Sequence, residues 1–334
     1  MPLVVDEVDL LLNGFGELPS GQKKRKAVDS PYLHRLQRKH FVFFDVLPFF
    51  GTLFAIGLAV VHPIGWVEVG LFFAMWLLTG FGISVGFHRL FAHRTFRTTT
   101  PVRVALAVSG CMAGQGAPIS WTAMHRRHHE CTDKEGDMHS PNRHGRSFMQ
   151  RVHGFIHAHY TWMVRHEYPN VGHYVPELLK DRALIRTGRL YRWWVLLGFA
   201  IPAVAGGLLT QSWMGVLTGF LWGGVVRMFV VGHSMWALNS FLHTVGRQPF
   251  PLRENMLDNS RNSGLLALIS WGEGWHNNHH AFPYSASFGL AWYRVDPGYW
   301  LIRTLEMLGL AHDVLVPTAA RIAARSAGVS RLAN

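Results

Sequence analysis

Four apolar stretches, each about as long as a bilayer crossing, constrain this chain more than any other feature. They read HFVFFDVLPFFGTLFAIGLAVV at 40–61, GWVEVGLFFAMWLLTGFGISVGF at 65–87, WWVLLGFAIPAVAGGLLT at 193–210 and WMGVLTGFLWGGVVRMFVVGH at 213–233. A helix needs about 20 predominantly apolar residues to cross the hydrocarbon core. In lipid every backbone N–H and C=O must be satisfied internally, and a helix does this within one segment. The links at His62-Pro63 and Gln211-Ser212 are short and carry no Lys or Arg, so the stretches pair into two hairpins. The expectation is an all-α integral membrane protein with four transmembrane helices. A fifth apolar patch, 102–121, is rich in Gly and reads as interfacial or buried rather than crossing.

These spans divide the chain. An N-terminal segment, 1–39, ends in a basic patch at Lys23-Lys24-Arg25-Lys26, and a first hairpin covers 40–87. A His- and Arg-rich insert covers 88–190, a second hairpin 191–243 and a polar tail 244–334. The N-terminus, insert and tail carry nearly all of the Lys and Arg. The excess of basic residues in cytoplasmic loops then places all three in the cytoplasm, as in a bacterial inner membrane or its equivalent. Lys+Arg total 32 against 20 Asp+Glu, a balance suited to an anionic partner or membrane face. No nucleic-acid-binding motif accompanies it, so nucleic acid is not an expected partner. Cys111 and Cys131 form no CxxC pair, which excludes a disulfide framework and a cysteine-based metal site. The opening MPLVVDEVDLLL has acids and no basic n-region, unlike a secretory signal.

The histidines are the anomaly. They gather as FHRLFAH (His88, His93), MHRRHH (His125, His128, His129), NSFLH (Asn239, His243) and HNNHH (His276, His279, His280). Positions i, i+3 and i+4 share a helix face, so the second and fourth clusters each present convergent rings. Asn239 and His243 share a face in the same way. His88 and His93 are about 140° apart on an α-helix and need either a helix end between them or two different ions to serve. Each cluster alone has a plainer reading: an interfacial basic face, a headgroup patch, or a hydrogen-bonded core histidine at His243. Together, on one side of a membrane, nine imidazoles suffice for two metal ions. Imidazole suits zinc, copper, iron and nickel. A catalytic zinc needs only three protein ligands, so nine nitrogens suggest two redox metals.

HRLFAH, HRRHH and GEGWHNNHHAFP together resemble the integral-membrane fatty acid desaturases with their three histidine boxes, nearest the acyl-CoA (stearoyl-type, Δ9) branch. The resemblance covers roughly 40–315 and includes Trp121, the EGDMHSP run (Glu135–Pro141) and NSFLH. It implies a cytoplasmic helical cap holding two irons on His88, His93, His125, His128, His129, His243, His276, His279 and His280. Asn239 matches a residue that reaches an iron through water. Glu273 is read as an acceptor behind a ligand or a helix N-terminal acid rather than a ligand. The implied reaction places a cis double bond in a saturated acyl chain carried by a thioester or lipid. O2 is the co-substrate and is reduced to water. No flavin, iron–sulfur or haem-binding motif is present, so electrons come from a separate ferredoxin or cytochrome b5-type donor with its reductase. Trp121 is a candidate tunnel wall or plain core. Arg143, Arg146 and Arg151 are candidates for a headgroup phosphate.

The same boxes also fit a membrane hydroxylase, acetylenase or alkene-forming decarboxylase. A metal transporter or sensor is the reading from another class. It expects ionisable residues near mid-membrane, whereas these spans hold Asp45 near the start of the first, Glu68 near one end of the second and Arg227 in the last.

Overall fold

The computed structural model describes residues 26–250 and 257–330. Residues 1–25, with Lys23, Lys24 and Arg25 of the basic patch, lie outside the described residues. The helices that matter for the site are α1 (Pro31–Val61), α2 (Trp66–Ala92), α3 (Thr100–Met112), α4 (Pro118–Cys131), α5 (Phe148–His159), α6 (Tyr191–Thr210), α7 (Trp213–Ser240), α8 (His276–Ala281) and α9 (Pro297–Met307). The four expected spans are present as α1, α2, α6 and α7, each long and apolar enough to cross a membrane. α3 has 13 residues, about 20 Å at the helical rise. That falls short of a hydrocarbon core of about 30 Å, so the 102–121 patch does not supply a fifth crossing.

The chain forms two compact units. The first takes its described residues from 26–83, 104–126 and 163–232, and it contains α1, α6 and most of α2 and α7. Its helices approach through missing side chains. A Cβ on Gly206 would stand 2.2 Å from the Gly215 carbonyl oxygen, and one on Gly219 would stand 2.2 Å from that of Pro202. In lipid, helix association relies on such close backbone contact, because apolar side chains gain little by leaving lipid tails for one another. Outward-facing residues are large and apolar, including Phe50, Phe54, Val60, Leu208 and Leu209. Trp66 and Trp213 begin their helices 91% and 89% exposed, as expected of rings at a membrane–water interface.

Glu68 and Arg227 both find partners within this unit. Glu68 accepts from the Gly65 N–H at 2.9 Å, which caps α2, and from Thr218 Oγ1 at 2.7 Å. Arg227 is fully buried and donates to the carbonyls of Gly223, Met112 and Gly198 at 2.8–3.1 Å. Gly223 lies in a π-helical segment, Phe220–Val226, whose wider winding departs from the α-helical ladder. A short antiparallel pair joins Ala27–Val28 to Tyr168–Pro169.

The second unit takes its described residues from 84–103, 127–162, 233–250 and 257–330. It holds the last turns of α2, α4 and α7, together with α5, α8 and α9. Arg97–Thr98 pairs antiparallel with Ala311–His312. Eight of the nine histidines named above belong to this unit; His125 is on the α4 turn just before it.

Candidate metal centre

α2 does not end as an α-helix. Gly82–Ala92 is wound as a π-helix, and the His93 N–H closes its last turn on the His88 carbonyl at 3.1 Å. In π winding, residues five apart stand one above the other. The His88 and His93 ring centroids are 5.0 Å apart. The 140° separation expected of an α-helix therefore does not arise, and the pair need not be divided between two ions.

Helices α4 and α8 do the opposite to their histidines. The i, i+3, i+4 spacing predicts three convergent rings on each, but the rings split. One group joins nitrogens of His88, His93, His129 and His279; another joins nitrogens of His128, His243, His276 and His280. Within each group these atoms lie within 4.8 Å of one another, a disposition that could hold a metal ion. His125 stands one turn before His129 on α4, on the same face. His243 lies in the turn beyond α7, which ends at Ser240. Its expected helical pairing with Asn239 is therefore replaced by a turn, and Asn239 is half-buried in the last helical turn.

The donor set fits a metal. His88 Nε2 is 3.0 Å from His279 Nε2, which is 2.9 Å from His129 Nε2. His243 Nε2 is 3.0 Å from His276 Nε2. Neighbouring donors on one ion, with metal–nitrogen bonds of about 2.1 Å, stand about this far apart. His280 Nε2 is buried and has no hydrogen-bond partner among the described residues. An all-imidazole set suits iron, copper or zinc.

Carboxylates stand behind the rings. Glu273 pairs with His88 Nδ1, Asp137 with His128 Nδ1 at 3.2 Å, Asp133 with His243 Nδ1 at 3.1 Å and Asp258 with His280 Nδ1 at 2.8 Å. Such a partner fixes the tautomer with Nδ1 as donor, turns Nε2 toward the group and raises its basicity. Burial pushes each of these four carboxyls up. The facing histidine, with Arg89 at Glu273 and hydrogen bonds elsewhere, outweighs it and holds all four below the ordinary carboxylate range. Burial and mutual repulsion hold His129, His276 and His279 well below the ordinary imidazole value. Neutral rings keep the lone pair that a metal requires.

Sequence reasoning left the asparagines of HNNHH without a role, and the structure gives them one. Asn277 Oδ1 accepts from the Phe250 N–H at 2.8 Å, and its Nδ2 donates to the Phe250 carbonyl at 3.0 Å. Asn278 Nδ2 donates to the Phe288 carbonyl at 2.8 Å, and its Oδ1 accepts from Asn262 at 2.7 Å. Both are buried, and they tie the short α8 to the segments on either side. Asp133 and Asp258 were also missed. Asp137 sits in the EGDMHSP run, whereas nothing in the sequence around Asp258 marks it.

Of the remaining candidates, Trp121 is half-buried and stacks on His125 with centroids 5.1 Å apart. Arg143 is exposed and donates to the Asp137 carbonyl at 3.0 Å; Arg146 and Arg151 are exposed.

The comparisons with known proteins decide what this arrangement belongs to. A family model described as fatty acid desaturase matches residues 62–314, which include all nine histidines. The chain belongs to the fatty acid desaturase family. A hex-5-enoyl-[acyl-carrier protein] acetylenase of Moorena producens is 46% identical over 92% of this chain and 95% of its own length. An sn-1 stearoyl-lipid 9-desaturase of Anabaena variabilis is 35% identical over 79% of this chain and 89% of its own length. An acyl-CoA C20 Delta5-desaturase of Anemone leveillei is 33% identical, covering 81% of each chain. This desaturase-family chain is thus a membrane oxidoreductase with histidine groups able to hold metal.

Proposed function

We propose that the chain is an O2-dependent fatty acyl desaturase that places a cis double bond in a saturated acyl chain. The observation that carries this reading is the sorting of the histidines into two groups of convergent nitrogens. One iron would be held by His88, His93, His125, His129 and His279. The other would be held by His128, His243, His276 and His280, with Asn239 reaching it through water. Once reduced, the two irons would supply the oxidising power from O2 that an alkyl C–H demands and no side-chain acid or base can provide. The balance is one saturated chain, one O2, two electrons and two protons in, and one unsaturated chain and two waters out.

The chain's own residues then have defined tasks. Glu273, Asp133, Asp137 and Asp258 hold Nδ1 protons and so keep the opposite nitrogens in place. Trp121, stacked on His125, would wall the path of the acyl chain. Arg146 and Arg151, exposed and basic, would meet the headgroup phosphate, with Arg143 beside them. The histidine-bearing segments and both termini would face the cytoplasm, where a ferredoxin or cytochrome b5-type donor with its reductase delivers electrons.

Expression in a host with such a donor, followed by mass spectrometry of acyl chains, tests this reading. Loss of two hydrogens from a saturated chain is the expected result; gain of one oxygen would assign a hydroxylase instead. A second reading is favoured by the 46% identity to a carrier-protein acetylenase. In that case a chain that already has a double bond would be converted and its saturated counterpart left alone. Offering both chains as CoA, carrier-protein and lipid conjugates separates the two readings.

A further inference from the structure

Arg89 follows His88 directly in the basic stretch FHRLFAHR, yet it is fully buried. Its Nη1 donates to Glu273 Oε1 at 3.0 Å and also bonds Ser84 Oγ; its Nη2 donates to Asp296 Oδ1 at 2.8 Å, and its Nε to the Ala286 carbonyl at 3.0 Å. The guanidinium lies 3.7 Å from the centroid of the Phe288 ring. The space is made for it. A Cβ on Gly298 would come within 2.4 Å of Nη1, and one on Gly272, at φ +100°, would meet Asp296 at 2.1 Å and Arg89 Nη2 at 3.1 Å.

The two groups that Arg89 grips each lean on a histidine of the same set. Glu273 holds His88 Nδ1. Phe288 packs on His88 and His279, with centroids 5.1 and 4.5 Å away. Asp296 anchors the far side of the guanidinium and is itself fixed by the N–H groups of Phe288 and Gly289 at 2.7 and 3.1 Å. A planar fork of five donors suits such a clamp better than a point charge does.

We propose that Arg89 is a positioning residue for the His88/His93/His129/His279 site alone: through Glu273 and Phe288 it fixes His88 and His279, and its loss releases one of the two metals while the other stays bound. This rests on the reading that each histidine group holds one iron.

The test is iron content per chain, with Mössbauer spectra of protein loaded with enriched iron and purified in detergent. Loss of a partner behind a metal ligand typically weakens metal binding about 10–100-fold. Arg89→Gln is expected to retain one iron of two, and Arg89→Lys, which keeps the charge, is expected to recover part of the second. Asp296→Asn, nearly isosteric and safer for folding, should weaken the same iron to a smaller degree. Asp258→Asn, behind His280, should weaken the other iron, so the spectral component kept in Arg89→Gln is the one lost there. Two irons with unchanged spectra in both Arg89→Gln and Asp296→Asn, or parallel loss of both irons, would overturn the proposal. A wild-type chain that binds no pair of irons would instead remove the di-iron reading, and this inference with it.

Discussion

His128 and His129 are consecutive residues, and their side chains belong to different groups of convergent imidazole nitrogens. Their ring centroids are 5.7 Å apart, with planes inclined at 72°. One helix thus reaches both candidate sites, as α8 does through His279 on one side and His276 and His280 on the other.

Replacing one histidine from each group should therefore remove a different ion. His128→Ala and His279→Ala are each expected to bring desaturation below about 1% of wild type, since even partners behind the ligands cost up to about 100-fold. Iron analysis should find one ion fewer in each, with membrane insertion unchanged. Full turnover by either variant would refute the assignment of these histidines as ligands.

Asn277→Ala should act on both sites without touching a ligand. It strips two hydrogen bonds from the buried Phe250 backbone, and each buried group left unpaired costs about 1–3 kcal/mol. A lowered thermal midpoint in detergent, with iron lost from both groups together, is the expected outcome. An unchanged midpoint would show that α8 is held by its packing alone.

Acid should destabilise the metal-free protein before its carboxylates titrate. His129, His276 and His279 have lowered values in the fold, against about 6.5 in an unfolded chain. As pH drops below about 6.5 the unfolded chain takes up protons that the folded chain refuses, so stability falls until the lower folded values are reached. Bound metal occupies the same nitrogens and should resist this loss. Thermal midpoints of the metal-free and loaded protein, measured between pH 7.5 and 5 (about one unit above and 1.5 below the free imidazole value), should diverge as pH falls; parallel curves would refute the linkage.

Close helix approach in the first unit can be probed with one methyl group. Gly206→Ala places a Cβ 2.2 Å from the Gly215 carbonyl, whereas Gly57→Ala meets nothing within 4 Å. Overpacking of this kind costs about 1–3 kcal/mol. Thermal unfolding in detergent should show a loss for Gly206→Ala and little change for Gly57→Ala; equal midpoints would mean that the helices yield freely.

The spans were legible because bilayer thickness imposes a minimum apolar length, which α1, α2, α6 and α7 display openly. The histidine clusters were legible because i, i+3 and i+4 spacing is a local property of α4 and α8. What decides the site is not local. Which of His128 and His129 serves which group depends on helices meeting from distant parts of the chain. Asp258 reaches His280 across 22 positions, and Arg89 reaches Asp296 across 207. Arg89 shows the limit well: next to His88 in sequence it resembles a surface charge, and only the fold supplies the two acids that make its burial affordable. The winding of Gly82–Ala92 was likewise hidden, since nothing in FHRLFAH announces a π-helix.

That winding makes segment length and helix type a matched pair. A π turn is an α turn carrying one surplus residue, and here the surplus lies between two histidines that must face the same way. Deleting one residue between His88 and His93 would let the segment relax to ordinary α winding with the rings still aligned. Forcing α geometry at the present length would swing one ring out of the group. A length change and a conformational change that are each damaging singly would therefore suppress one another, and a relative with a spacing of four at this point should be α-helical there.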